Sequence, residues 1–437
     1  MQREQKTSEH TTRPATRREF LGTSALAMGS ALAAVDVPAV HAAGSGIVKV
    51  GLIGCGGRGT GAAVNAARAG DDIRIWALGD VFADRLQACR QRLRDELGDK
   101  VQVSDERCFL GFEAYKQVTN AVDVVLLATP PHFRPAHIRY AVETGRHIFA
   151  EKPMAVDAPG VRSVLESAEK ARAKKLTLVS GFCFRYDDGM RETIQRIHDG
   201  AIGDIVALHT SYNTGMLWVR RRQPDWGDLE WQLRNWLYFT WLSGDHIVEQ
   251  HVHSLDKAAW VMRNRYPIQA VGMGGRQTRT GPEYGHIFDH HAVVFDYDDQ
   301  VRVFSFCRQQ PNVHNDVSDH VFGTNGSANL MQYVLRDRKG KVVWSYPREK
   351  RRRGDMYQNE INEMFDSIRA GAAKNDGDWM ARSTLMAIMG RMATYTGQLI
   401  TWEKALHSQE NLTPPVYDLK ASLPVPPVAR PGETPFV

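Results

Sequence analysis

Ile47-Val-Lys-Val-Gly-Leu-Ile53 runs directly into Gly54-Cys55-Gly56-Gly57-Arg58-Gly59, and an alanine-rich stretch from Thr60 to Ala69 follows. The first segment reads as a buried strand and the last as a helix, so the glycines occupy the loop between them. Gly54 permits a tight turn, Gly56 lets the backbone approach a pyrophosphate, and Gly59 lets the helix pack close to the strand. Gly57 and Arg58 complete the loop. The helix start offers unpaired N–H groups and a positive dipole end, which suit phosphate. A second strand, Ile73 to Leu78, ends at Asp80, 21 residues past Gly59. A carboxylate there meets the adenosine ribose hydroxyls and repels a 2′-phosphate. NAD is therefore favoured, while Arg58 and Arg85 leave NADP open.

The alternation continues along the chain. Val122 to Ala128 is a near-continuous apolar run, as expected of a parallel strand covered on both faces. It ends in Thr129-Pro130-Pro131-His132. Pro135 to Thr144 reads as a helix stopped by Gly145, His147 to Ala150 as a strand ending in Glu151-Lys152-Pro153, and Leu176 to Ser180 as another strand. In open parallel sheets ligands sit outside the carboxyl ends of the strands. Asp80, Thr129, His132, Glu151, Lys152 and Arg185 all fall at such ends. The expected class is α/β with an N-terminal Rossmann domain over residues 46–185.

Ahead of this domain stands Thr16-Arg17-Arg18-Glu19-Phe20-Leu21, then a mild apolar run to Val35 and the small-residue stretch Val40-His41-Ala42. This reads as a twin-arginine export signal over residues 1–42, too short and too weakly apolar to act as a membrane anchor. It implies the twin-arginine export machinery as a partner and a periplasmic or secreted address. About 395 residues remain, enough for two domains. The net charge of +5 is mild and forms no Lys/Arg stripe, which argues against nucleic acid. The five cysteines are scattered and odd in number, without a CxxC pair, so a disulfide framework is not expected.

The glycine loop, Ala128-Thr129-Pro130 with His132, and above all Glu151-Lys152-Pro153 resemble the Gfo/Idh/MocA oxidoreductase superfamily. The resemblance implies that Lys152 lies beside the nicotinamide and that Pro153 is cis. It also implies a second α/β domain, over residues 186–411, with a large, mostly antiparallel open sheet that carries the substrate site and the contact of a homo-oligomer. Strand-like segments at Ile205–Tyr212, Ile268–Met273, His291–Tyr297 and Val301–Cys307 agree, with a hairpin turn at Asp296–Asp299. Helices are expected around Gln358–Ala370 and Ser383–Gln398. The proline-rich residues 412–437 read as an extended tail, frayed or lying across a neighbouring subunit.

A second motif of the resemblance is an acid and a histidine four residues apart, followed by Asp. Here it is Glu249-Gln250-His251-Val252-His253-Ser254-Leu255-Asp256, with Glu249 where the family has Asp. Spacing of four predicts that Glu249 and His253 share one helix face. Oxidation of a hydroxyl needs a base for its proton, and His253 suits that role near neutral pH. Lys152 as ammonium orients the hydroxyl and stabilises oxyanion character, and Glu249 orients either partner. The Lys and His roles can also be exchanged. His246, His251 and His253, with His286, His290 and His291, invite a metal reading, but His251 and His253 point to different helix faces, so no metal is expected. Arg185 and Tyr186 match a family segment that faces substrate.

Five of the ten tryptophans fall between Trp218 and Trp241. They read either as a pocket wall that stacks on sugar rings, with Trp236 as the candidate, or as core. The function expected is an exported NAD(P)-dependent oxidoreductase acting on a carbohydrate or polyol hydroxyl, with the cofactor tightly bound and recycled in the site. The alternatives are an NAD-dependent glycosidase working through a transient 3-keto sugar and a non-catalytic sugar-binding protein.

Overall fold

The computed structural model describes residues 46–351 and 354–437. The export signal expected over residues 1–42 lies outside the described residues. The described residues form two sheets within one compact unit. The first is parallel, in the order β3-β2-β1-β4-β5-β6. Its strands are β1 (Val48–Ile53), β2 (Ile73–Asp80), β3 (Cys108–Leu110), β4 (Val124–Leu127), β5 (His147–Ala150) and β6 (Leu178–Ser180). β4 is buried at every residue, because helices cover both faces of a sheet whose crossovers are helical. The order reverses between β1 and β4, and the crevice at that switch point lies beside the glycine loop.

The second sheet has the order β14-β13-β12-β11-β7-β10-β9-β8-β15. Its strands are β7 (Ile205–Thr214), β8 (Gln269–Gly275), β9 (His290–Asp296), β10 (Arg302–Gln309), β11 (Asp316–Gly323), β12 (Gly326–Asn329), β13 (Val334–Asp337), β14 (Val342–Ser345) and β15 (Ile400–Thr401). All pairings are antiparallel except β7 with β10. β9 alternates buried with half-buried residues and β10 mostly buried with exposed ones, the mark of a sheet with one open face. The helices Val252–Val261 and Gly377–Thr396 cover the other face. The second of these also packs on the helix Ala158–Ala173 of the first domain. Its apolar residues run all round the helix, which fits a position between layers.

Two sequence expectations change here. The helix Asp355–Arg369 belongs by position to the second domain. By packing it belongs to the first, since Ile361, Met364, Phe365 and Ile368 enter the same core as Val48, Val50 and Leu52. The tail is neither frayed nor free: Leu412, Leu419 and Leu423 pack on the tryptophan-rich segment, and the Val437 carbonyl accepts from Ser408 Oγ. Among the described residues no helix is long and apolar enough to cross a membrane.

Burial holds the His137 imidazole down to about 3, with Arg134 adding to the effect. Burial likewise holds His286 down to about 4 against the attraction of Asp245. In the unfolded chain both take up protons near pH 6.5, and in the fold they do not until about pH 4. The unfolded state therefore binds more protons in this window, and stability falls as pH drops through it. The melting temperature is expected to decline steadily between pH 6.5 and about 4; a flat profile in differential scanning calorimetry overturns this assignment.

Candidate active site

The glycine loop builds a cleft of about 370 Å³ at the carboxyl ends of β1, β2 and β4. Gly54 has φ +98°, and a Cβ there would meet the Ala128 carbonyl carbon at 2.6 Å. A Cβ on Gly59 would meet the Gly54 oxygen at 2.0 Å, so the strand–helix turn closes only without side chains. Gly56 and Gly57 face open space, which leaves a bare backbone cradle at the start of the helix Gly57–Arg68. The Asp80 carboxylate accepts from the Cys55 N–H at 2.7 Å and the Phe82 N–H at 2.9 Å. Burial raises its pKa, opposed by those two bonds. These features fit the pyrophosphate and adenosine ribose of a dinucleotide.

Of the residues predicted for the cofactor, Gly54, Gly56, Gly57, Arg58, Gly59, Asp80 and Thr129 line this cleft. His132 does not. Its Nε2 shares a 2.6 Å hydrogen bond with the Tyr417 hydroxyl of the tail, and its ring stands edge-on to Trp241. Glu151 is corrected as well. Its carboxylate is taken up by the Arg58 guanidinium, which also reaches Glu360 at 3.3 Å and lies over the Tyr357 ring. Two carboxylates thus pin the Arg58 guanidinium and take up its charge. Sequence reasoning missed Phe82, Phe112, Phe133 and Leu233 on the cleft wall. Phe82 alone carried a signal, two residues after Asp80 at a strand end.

The Lys152–Pro153 peptide is cis. Lys152 Nζ donates to Glu249 Oε1 at 2.9 Å and to the Glu249 carbonyl. Burial raises the Glu249 pKa, and the Lys152 ammonium opposes it. The expected single helix is in fact two, His246–Glu249 and Val252–Val261. The chain turns at Gln250–His251, so Glu249 and His253 do not share one continuous helix, and Glu249 pairs with Lys152. His253 stands edge-on between Phe182 and Phe184, at 6.1 and 5.4 Å between ring centres. Burial, aided by the Lys152 and Lys257 charges, pushes its pKa well down, so the imidazole is neutral at neutral pH. Thr129 Oγ1, Glu249 Oε2 and His253 Nδ1 are all buried without a hydrogen-bond partner within the chain. Such orphaned groups are costly. Tyr212, on β7, joins this group through its electrostatic contact with Lys152 and Glu249. In the sequence it stands just ahead of the tryptophan-rich stretch.

Three substrate expectations are corrected. Arg185 is buried in an ion pair with Asp256, donates to Asn264 at 2.9 Å, and lies over the Trp379 ring at 4.0 Å. Tyr186 is 1% exposed and donates to Asp376. Neither presents a group to a ligand. Trp236 lines the dinucleotide cleft together with Trp218, whereas Trp231 and Trp241 are core. The core reading therefore holds for Trp231 and Trp241, whereas Trp218 and Trp236 wall the dinucleotide cleft.

Asp245, His246 and His291 gather their polar atoms within 4.8 Å. The Asp245 carboxylate already accepts from the His246 backbone and Nδ1, the Phe288 N–H and the Tyr395 hydroxyl. The carboxylate is a hydrogen-bond hub, while His246 Nε2 and His291 Nε2 lack a hydrogen-bond partner among the described residues. His251, His286 and His290 bond Ser305, Thr240 and Asp289.

Comparison with known proteins bears on the cleft. Residues 48–179 match the Gfo/Idh/MocA family, described as an oxidoreductase family with an NAD-binding Rossmann fold. The chain is similar to inositol 2-dehydrogenase 3 of Saccharopolyspora erythraea, with 25% identity over 81% of this chain and 95% of the relative. It is 27% identical to the inositol 2-dehydrogenase of Burkholderia vietnamiensis, over 76% of this chain and 89% of the relative. Among solved structures, scyllo-inositol dehydrogenase from Lactobacillus casei, with bound NAD(H) and scyllo-inositol, superposes with a TM-score of 0.62 at 18% identity over 82% of this chain and 99% of that one. Aldose-aldose oxidoreductase from Caulobacter crescentus gives 0.62 at 16%, over 81% and 99%. At that identity the two structures show a shared fold: a Rossmann domain followed by a mostly antiparallel sheet.

Proposed function

We propose that the protein is an exported, NAD-dependent oxidoreductase that acts on a hydroxyl of a sugar or polyol and retains its cofactor through turnover. The observation that carries this reading is the Lys152–Glu249 pair at the carboxyl end of a strand in the sheet that carries the glycine cradle, with a neutral His253 whose pKa the Lys152 charge lowers. The inositol 2-dehydrogenase relatives favour a polyhydroxylated substrate. Gly56, Gly57 and Asp80 would hold the dinucleotide, and the bound nicotinamide supplies the oxidant. The chain's own residues then do three things. Lys152 orients the substrate hydroxyl and stabilises the negative charge that develops on it. His253 receives the hydroxyl proton. Glu249 holds the Lys152 ammonium in place. The pinned guanidinium of Arg58 favours NAD over NADP.

Export would remove access to the cytoplasmic NAD pool, which is the reason for a retained cofactor. The mature protein, purified from the periplasm, is expected to start after Ala42 and to release near-stoichiometric NAD(H) on denaturation, read by N-terminal sequencing and mass spectrometry. A protein that neither carries nor binds dinucleotide overturns the redox reading in favour of a sugar-binding protein. Product analysis separates a keto-sugar from the free aglycone of a glycosidase.

The open face of the second sheet supports a homo-oligomer. The register aligns Val271, Val294 and Phe304 in one row and Met273, Ala292 and Phe306 in the next. Met273 is 72% exposed. A contiguous apolar face of this kind marks a protein contact. Light scattering is expected to give a dimer or tetramer, and the pair Met273→Asp and Phe306→Asp to give monomers. A monomeric parent overturns the assignment.

A further inference from the structure

The wall of the dinucleotide cleft opposite the glycine loop comes from the second domain. Trp218, Leu233 and Trp236, from the segment between β7 and β8, face Gly56, Asp80 and Phe82 across it. Two sets of contacts hold this wall in place.

The first is the tail. Its main chain runs along the helix Asp228–Arg234. The Leu419 and Ala421 carbonyls accept from the Glu230 and Leu229 N–H groups at 3.3 and 3.4 Å. Leu423 N–H donates to Asp228 Oδ2 at 3.0 Å, and the Leu423 carbonyl accepts from Gln232 Nε2 at 2.6 Å. Gly227 is required at this crossing, because a Cβ there would meet the Leu419 oxygen at 2.3 Å. A few residues earlier, the same tail is fixed to the first domain. The Tyr417 hydroxyl bonds His132 Nε2 at 2.6 Å, and its ring packs 5.4 Å from Phe112 and 5.9 Å from Phe133, both of which line the cleft. Leu412 N–H donates to Asp157 at 3.0 Å. The second set is a latch. Arg234 reaches both oxygens of Asp84, at 3.1 and 3.3 Å, from the opposite side of the cleft. Its guanidinium lies 3.9 Å over the ring of Phe82.

We propose that residues 412–423 are a cofactor strap. With the Arg234–Asp84 latch, they hold the Trp218–Trp236 wall over the cleft, so that a dinucleotide bound there cannot leave while both are closed. This inference rests on the nucleotide reading above and assigns its retention to particular residues. Tyr417 and Arg234 are positioning residues that act through the wall. A dinucleotide can dissociate only after strap and latch open together, which couples its release rate to contacts remote from the phosphates.

The test uses the full mature protein, with NAD as the probe, in the single variants Tyr417→Ala and Arg234→Ala and in their double. Nucleotide per chain is measured by mass spectrometry after desalting and timed dilution into excess labelled NAD. Binding of added NAD is followed separately by tryptophan fluorescence. The double variant is expected to exchange its nucleotide at least about fivefold faster than the parent, the equivalent of one lost hydrogen bond of average net value, while still binding added NAD. Tyr417→Phe keeps the ring packing and removes the His132 bond. It decides the matter if the alanine variants fail to fold, with faster exchange again expected. Exchange at the parental rate in the folded variants overturns the strap. A parent that binds no added NAD overturns the nucleotide reading itself, and the strap with it.

Discussion

Lys152→Ala is expected to lower kcat by about 10³-fold while the protein keeps its fold and its bound nucleotide, since an ammonium aimed at developing charge contributes on that order. Lys152 lies outside the wall of the dinucleotide cleft, and its hydrogen bonds go to Glu249. The loss therefore falls on turnover rather than on cofactor binding. The substitution also leaves the Glu249 carboxylate buried without its cation, and the removal of a counter-charge raises the pKa of a buried acid. Steady-state kinetics and nucleotide quantification on one preparation check both parts. Retained turnover overturns the catalytic assignment, and a parent that binds sugar without turning it over is a binder, not an enzyme.

Arg185→Met is expected to destabilise the fold by about 3–5 kcal/mol, because it strands a buried carboxylate. Arg185 holds Asp256 with three hydrogen bonds between 2.8 and 3.2 Å, and Asp256 is 1% exposed. Ser383 Oγ is the other donor to that carboxylate. Denaturant unfolding is the measurement. If Arg185 touched substrate instead, the variant would keep its stability and raise KM, so the two readings give opposite results. The sequence motif had placed Arg185 near the site, and the chain does bring it close. What decides its role is the guanidinium direction, and that depends on Trp260, Trp379 and Asn264, all distant in sequence.

Much of the first domain was legible because its signals are local. The apolar runs of β1, β2, β4 and β5, the glycine spacing and the acidic residue at the end of β2 lie within short windows, and steric limits at Gly54 and Gly59 leave few alternatives. The helices Ala83–Leu97, Ala158–Ala173 and Asp188–His198 went unassigned. So did β11 to β14, which are short or half exposed, and a strand with both faces mixed gives no clear period. The break between Glu249 and His253 was invisible to helical periodicity, because spacing of four is compatible with a continuous helix. It is the buried Asp245 hub and the Lys152 ammonium that fix the two pieces.

By itself, then, the sequence determined the strand–loop–helix unit, the carboxyl-end ligand positions and the residue types able to move a proton beside a hydroxyl. These follow from backbone sterics and hydrophobic period, which act over a few residues. The tertiary structure alone decided which side chains remain available. Glu151, His132, Arg185 and Tyr186 stand at strand ends or motif positions, yet Arg58, Tyr417, Asp256 and Asp376 take up their polar atoms. It also decided that the tail lies against the tryptophan wall. Charged and polar groups must find partners once water is excluded, and those partners come from parts of the chain whose approach no local pattern records.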